Sequence, residues 1–192
     1  MATLKLYKPI PRDGAPHALA SKPISGFHAS AIRVLELDRD HAVGAGANVL
    51  AIIWRHHTTI AAIDRAERHL HALMADYPDG VGLLQLAEPT ATPPSGVTRA
   101  ALAAMLKSGS PGIKSSSLVY AGTGFHMAAA RAFVTGLRML TSFSFPHEIF
   151  ATVDQAADWH ARLLPRAHVR YTAKQDIVAL ADRLTRELDE SP

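Results

Sequence analysis

The sequence predicts an α/β fold of order ββαβαβαβα, with a mixed, mostly parallel sheet, helices packed against it and one further C-terminal helix. VLAIIWRH (residues 49–56) is a continuous apolar run ended by polar residues, the pattern of a strand covered on both faces, and VGLLQLAE (81–88) reads as the next buried strand. Stretches of helical period alternate with such runs at the rate that parallel sheets require for their crossovers. At 192 residues and 48% hydrophobic content, the chain can also bury a core without disulfides or metal.

Residues 1–30 hold four of the twelve prolines and no sustained period, and read as a mobile arm. AIRVLELD (31–38) sets Val34, Glu36 and Asp38 against Leu35 and Leu37 at period two, as a half-buried antiparallel first strand does. HAVGAGAN (41–48) reads as the turn that follows, and 49–56 as the next strand. TTIAAIDRAERHLHALMADYPDG (58–80) offers Thr58 or Thr59 as N-cap and a stripe of Ile60, Ile63, Ala66, Leu70, Leu73 and Met74, ended by Pro78 and Gly80.

After strand 81–88, the stretch LAEPTATPPSGVTRAALAAM (86–105) spends three prolines and four hydroxyl residues at its junction with a short helix that turns Val97, Ala101, Ala104 and Met105 inward. IKSSSLVYAG (113–122) is a further strand, and TGFHMAAARAFVTGLRML (123–140) a helix with Phe125, Ala129, Ala132, Phe133 and Leu140 on one face. FPHEIFATV (145–153) is short and rich in β-formers. DQAADWHARLL (154–164) places Asp154 at an N-cap with Ala157, Trp159 and Leu163 behind it, and Pro165 closes the 31–164 unit. Residues 165–192 form a tail whose last helix caps at Thr172 and is amphipathic through Ile177, Leu180, Leu184 and Leu188.

The composition narrows the function. Net charge is +3, and Lys and Arg are scattered among Asp and Glu with only 6% aromatic residues, so a nucleic-acid surface is not expected. The absence of cysteine excludes a disulfide scaffold, a thiolate zinc site and a cysteine nucleophile. No apolar run approaches the ~20 residues needed to cross a bilayer, and no signal-peptide core begins the chain, so a cytoplasmic protein without membrane insertion is expected.

The element order and the closing FPHEIFATVDQAADWHARLL resemble the STAS fold, named for sulphate transporters and anti-sigma-factor antagonists, and its SpoIIAA-like relatives, over about residues 31–164. Phe150, Asp154, Ala156, Ala157, Trp159 and Leu163 stand where that family carries a short strand ending in Phe, an acidic cap, alanines and a Trp-Leu pair. The resemblance implies a non-enzymatic regulatory domain that docks on a protein partner: a kinase, an anti-sigma factor or another copy of itself. It further implies a phosphorylated serine at the start of the helix after the third strand, within Asp-Ser-Ser-Gly. The matching PPSG puts Ser95 before Gly96, with Pro94 in place of the family's serine. A phosphate there would meet free backbone N–H groups and the positive end of the helix dipole, which makes Ser95 and Thr98 the phospho-acceptor candidates; both equally suit plain helix capping.

The residues permit two other function classes. His56, His57, Glu88, Gly122, Thr123 and His126 fall at predicted strand ends and helix starts, where α/β proteins bind ligands, and would line a rim pocket of a small-molecule or lipid-binding module or a minor enzyme. No metal or cofactor is expected, because nothing in the spacing makes three ligands converge; His69 and His71, two apart on a helix, point to different faces. No nucleophile elbow is present, paired carboxylates are missing from the predicted strand ends, where Glu88 stands alone, and SSS (115–117) lies in a strand whose alternation separates neighbouring hydroxyls. The third class is a structural subunit that assembles with itself through a sheet edge or the last helix.

Overall fold

A computed structural model describes residues 31–120, 135–136, 144–164 and 172–191. The expected arm (1–30) and nearly all of the expected helix 123–140 lie outside these residues. The described chain forms one six-stranded sheet in sequential order: β1 (Arg33–Leu37), β2 (His41–Gly46), β3 (Val49–Trp54), β4 (Val81–Ala87), β5 (Ile113–Tyr120) and β6 (His147–Phe150). β1, β2 and β3 pair antiparallel, and β3 through β6 pair parallel. The mixed α/β class is therefore as expected, with one strand more than the sequence suggested.

The additional strand is β2, which the glycines of HAVGAG disguise as a turn. Every residue of it is buried. Its alternate positions Ala42, Gly44 and Gly46 lie under the C-terminal helix, and a Cβ on Gly44 would come within 2.8 Å of Leu184 Cδ2. Small residues here mark close approach of a helix to the sheet, the other meaning of glycine in a strand. The real turn is Ala47-Asn48, where Ala47 takes a φ of 48°.

Helices cover both faces, which is why β3 is apolar throughout and β4 is apolar but for Gln85, whose amide oxygen accepts from Trp54 Nε1 at 3.2 Å. α1 (Ile60–Asp76) and α2 (Gly96–Gly109) are successive crossovers on one face, packing Ile63, Leu70, Leu73, Leu102, Met105 and Leu106 on Val43, Leu50, Ile52 and Leu83. On the other face α3 (Val153–Leu163) and α4 (Lys174–Glu190) lay Ala156, Ala157, Ile177, Leu180, Leu184 and Leu188 over Ala42, Ala51, Ile53 and Leu84.

Local chemistry sets the helix starts. Thr59 caps α1 by accepting from the Ala62 amide at 3.1 Å, and Ser95 caps α2 by accepting from the Thr98 amide at 3.2 Å. Two expected caps move: Thr152 precedes α3 and accepts from the Gln155 amide, leaving Asp154 in the first turn, while Ala173 precedes α4 and its amide donates to Asp176. The Thr172 hydroxyl is instead turned to Asn48 Oδ1.

Four expected core residues are exposed: Ala104 on α2 and three large ones. Ile60 (45%) and Val97 (67%) occupy the first and second positions of their helices and overhang the sheet end, whereas Thr98, Leu102, Met105 and Leu106 form the true inward stripe of α2. Leu163 is 42% exposed because α3 presents Ala156, Ala157 and His160 to the sheet.

Candidate functional site

Because β3 to β6 run parallel, their C-terminal ends, the β1–β2 turn and the starts of α1, α2 and α3 share one rim, where open α/β sheets bind ligands. The described part of this rim is laced together. Arg55, just after β3, makes a two-pronged contact with Glu88, just after β4: Nε donates to Oε2 at 2.8 Å and Nη2 to Oε1 at 2.9 Å. The same guanidinium donates through Nη1 to the Leu188 carbonyl at 2.9 Å and through Nη2 to Asp189 at the end of α4. The hydrogen bond to Glu88 is the main reason the Arg55 pKa lies above its ordinary value; burial opposes it and Asp189 adds to it. Alongside, the Thr92 amide donates to the His56 carbonyl at 2.7 Å, and the Thr90 hydroxyl to the Arg55 carbonyl at 2.6 Å.

Among the expected pocket residues, His56, His57 and Glu88 lie on this rim, with His57 Nδ1 3.4 Å from Thr92 Oγ1. Glu88 is committed to Arg55 and offers no idle carboxylate to a metal or substrate. Gly122, Thr123 and His126 lie outside the described residues.

The two phospho-acceptor candidates differ. Ser95 is exposed at the helix start, and a Cβ on the neighbouring Gly96 would meet nothing within 4 Å. Thr98 is 8% exposed, and its hydroxyl lies 2.9 Å from Ser95 Oγ. A modifying group therefore reaches Ser95 directly, and Thr98 only if the first turn unwinds.

Three side-chain constellations escape the sequence reading. The first is internal: Ser115 and Ser117, on one face of β5, bracket the ring of His160, with Oγ to Nδ1 at 2.6 Å and Oγ to Nε2 at 2.8 Å. Ser116, on the other face, meets His147 Nδ1 at 3.0 Å. Desolvation, reinforced by His147, lowers the His160 pKa to about 3, so the ring is neutral and uses one nitrogen as donor and one as acceptor. All three serines and His160 are fully buried, so the Ser115 and Ser117 contacts brace the sheet against α3, the Ser116 contact ties β5 to β6, and none presents a nucleophile to solvent. The available signal was a period-two serine pair matched by a histidine four residues after Ala156 on a helix face.

The second surrounds β1. A bulge between Val34 and Glu36 inserts Leu35, so Glu36 pairs with Val43 and is aimed at α1. Without the bulge, alternation would keep Glu36 on the face of Val34, the grouping that the period-two reading expects. Glu36, Asp38 and His41 then bring ligand-type atoms within 4.8 Å of one another, the one such group of three or more His, Asp or Glu residues among those described. Its chemistry is that of an ion-pair network: His41 Nε2 faces Glu36 at 2.8 Å, Nδ1 faces Asp38 at 2.9 Å, and Arg65 from α1 binds Glu36 and approaches Asp38 at 3.6 Å. A guanidinium already fills the place a cation would take.

The third lies on the surface, where the Ser108 hydroxyl contacts Glu67, the Met105 carbonyl at 3.0 Å and His71 Nε2 at 3.2 Å. The acid bonds the serine and stands 3.6 Å from the histidine, so the order that makes a catalytic triad, acid to histidine to serine, is not built.

No protein-family model, curated protein or solved structure matches the chain. Among the described residues no helix is long and apolar enough to cross a membrane.

Proposed function

We propose that the chain is a non-enzymatic regulatory module, as its resemblance to anti-sigma-factor antagonists implies, and that it docks another protein on the rim where α1 and α2 begin. The observation that carries this reading is the placement of Val97 and Ile60. They are the two most exposed large apolar side chains of the described residues and stand at the starts of neighbouring helices on one face. Beside them Ser95 is open to a modifying enzyme, and a phosphate on it would change both charge and bulk at the centre of the face. The groups that would argue for chemistry are otherwise engaged: Glu88 with Arg55, the β5 serines with buried histidines, and the Glu36 cluster with Arg65.

A heterologous partner is favoured over self-pairing through β1. That edge strand carries a bulge and the charged Arg33 and Glu36, both devices that discourage edge-to-edge addition. The test is native mass spectrometry of the protein isolated from its own cells, with peptide mapping across residues 86–105. A stoichiometric second protein, lost on Val97→Asp, supports the reading, and phosphate on Ser95 extends it to a switch. A bare monomer, or a retained small molecule instead of a protein, overturns it.

A further inference from the structure

The loop that delivers Ser95 to α2 is held from a distance. One residue, Arg55, touches three otherwise separate parts of the rim: its amide donates to the Asp40 carbonyl in the β1–β2 turn at 2.8 Å, its carbonyl accepts from Thr90, and its side chain clamps Glu88, all while reaching the last turn of α4. Glu88 and Thr90 open the β4–α2 loop, and the loop is pinned twice more by main-chain bonds, Glu88 N to the Trp54 carbonyl at 2.9 Å and Thr92 N to the His56 carbonyl at 2.7 Å.

We infer that Arg55 is the positioning residue of the β4–α2 loop, and that the end of α4 sets, through Arg55, how firmly that loop is held. The two α4 contacts are unlike each other. Leu188 is 1% exposed, so its carbonyl is fixed by the core and anchors the guanidinium permanently. Asp189 is 62% exposed on its side chain, so its carboxylate is open to competition from a cationic surface that binds the C-terminal end. Removing Asp189 frees Nη2 to shift, loosens the fork on Glu88 and, through it, the loop ahead of Ser95. Lysine cannot substitute, because a single ammonium cannot hold a carboxylate on two prongs while also reaching the α4 carbonyl. The consequence for partner binding rests on the docking reading above. The coupling itself does not, and is tested without any partner.

The experiment is amide hydrogen exchange on the full chain, read in both directions, since coupling between two places must be reciprocal. Asp189→Asn is expected to speed exchange of the Glu88 and Thr92 amides about fivefold, at the modest end of couplings between sites, while Leu118 in β5 stays unchanged. Thr90→Val, which removes the bond to the Arg55 carbonyl, is expected to speed exchange in the last turn of α4 by a similar factor. In an Arg55→Lys background both responses should fall below twofold. A merely structural role for these residues would raise exchange locally and would not carry across the molecule. An Asp189→Asn chain with an unchanged Thr92 amide overturns the inference, as does a response that survives Arg55→Lys. If the coupling is found and native mass spectrometry detects no partner, the docking reading fails and this one stands.

Discussion

Ser115 Oγ and His160 Nδ1 lie 2.6 Å apart in a site with no solvent exposure, and the other nitrogen of the same ring is held by Ser117. The histidine thus belongs to the scaffold, and its cost and benefit are both measurable. In the folded chain its pKa is lowered to about 3, chiefly by desolvation. In the unfolded chain it returns to about 6.5. Between those values the unfolded state binds a proton that the folded state refuses, so stability is complete above the unfolded pKa and falls as the pH drops toward 3. The expected slope from this group approaches ~1.4 kcal/mol per pH unit. Urea denaturation at pH 7, 6, 5 and 4 measures it, and His160→Gln should remove about one proton's worth of slope. An identical slope in wild type and variant would show that His160 does not resist protonation.

The serines carry a separate expectation. Ser115→Ala leaves a ring nitrogen of His160 facing a methyl group in a closed site, which costs about 1–3 kcal/mol. Chemical denaturation at pH 7 reads this directly. The double variant Ser115→Ala with Ser117→Ala should lose less than twice as much if the ring can rotate toward backbone acceptors, so a double-mutant cycle tells whether the site is rigid.

Gly44 is expected to be intolerant of any side chain. A Cβ there would sit 2.8 Å from Leu184 Cδ2 and 3.0 Å from the Arg33 carbonyl, the first a side chain that could yield and the second a backbone that cannot. Gly44→Ala should therefore cost about 1–3 kcal/mol by overpacking. Leu184→Ala leaves a cavity with its own cost, so the relief is read as the coupling in a double-mutant cycle, which should fall short of the Gly44→Ala cost because the Arg33 contact remains. A coupling equal to the whole Gly44→Ala cost would place the conflict entirely on the helix and leave β1 free to adjust.

The same residue shows what the sequence could and could not disclose. The apolar runs of β3 and β4 and the stripes of α1 and α4 are legible because burial on both faces of a strand, or along one face of a helix, leaves a period in the residues themselves. β2 is not legible, because glycine in a strand and glycine in a turn look alike until the helix that crosses it is known, and α4 lies about 140 residues away in the chain. The β1 bulge fails for a related reason: one inserted residue reverses the alternation after Leu35, and nothing in RVLEL marks the insertion. The site follows suit. Ser95 was identifiable as a helix start from its proline-rich approach, but the commitment of Glu88 to Arg55 and of Ser115 and Ser117 to His160 depends on pairings between distant elements that periodicity does not encode.

Ser95 separates capping from signalling within one set of variants. Its hydroxyl accepts from the Thr98 amide, so Ser95→Ala should destabilise the protein by about 1 kcal/mol whatever its biological role. Ser95→Asp keeps an acceptor at the N-cap and places negative charge at the positive end of the helix dipole, so its stability should match or slightly exceed that of the wild type. Any loss of partner binding in Ser95→Asp cannot then be ascribed to unfolding and must come from the charge on the docking face. Thr98→Val supplies the control: its buried hydroxyl bonds only within the cap, so it should lower stability without altering how a partner responds to charge at Ser95. Calorimetry of the three variants, paired with partner capture, decides the matter. Undiminished capture by Ser95→Asp leaves Ser95 a cap alone.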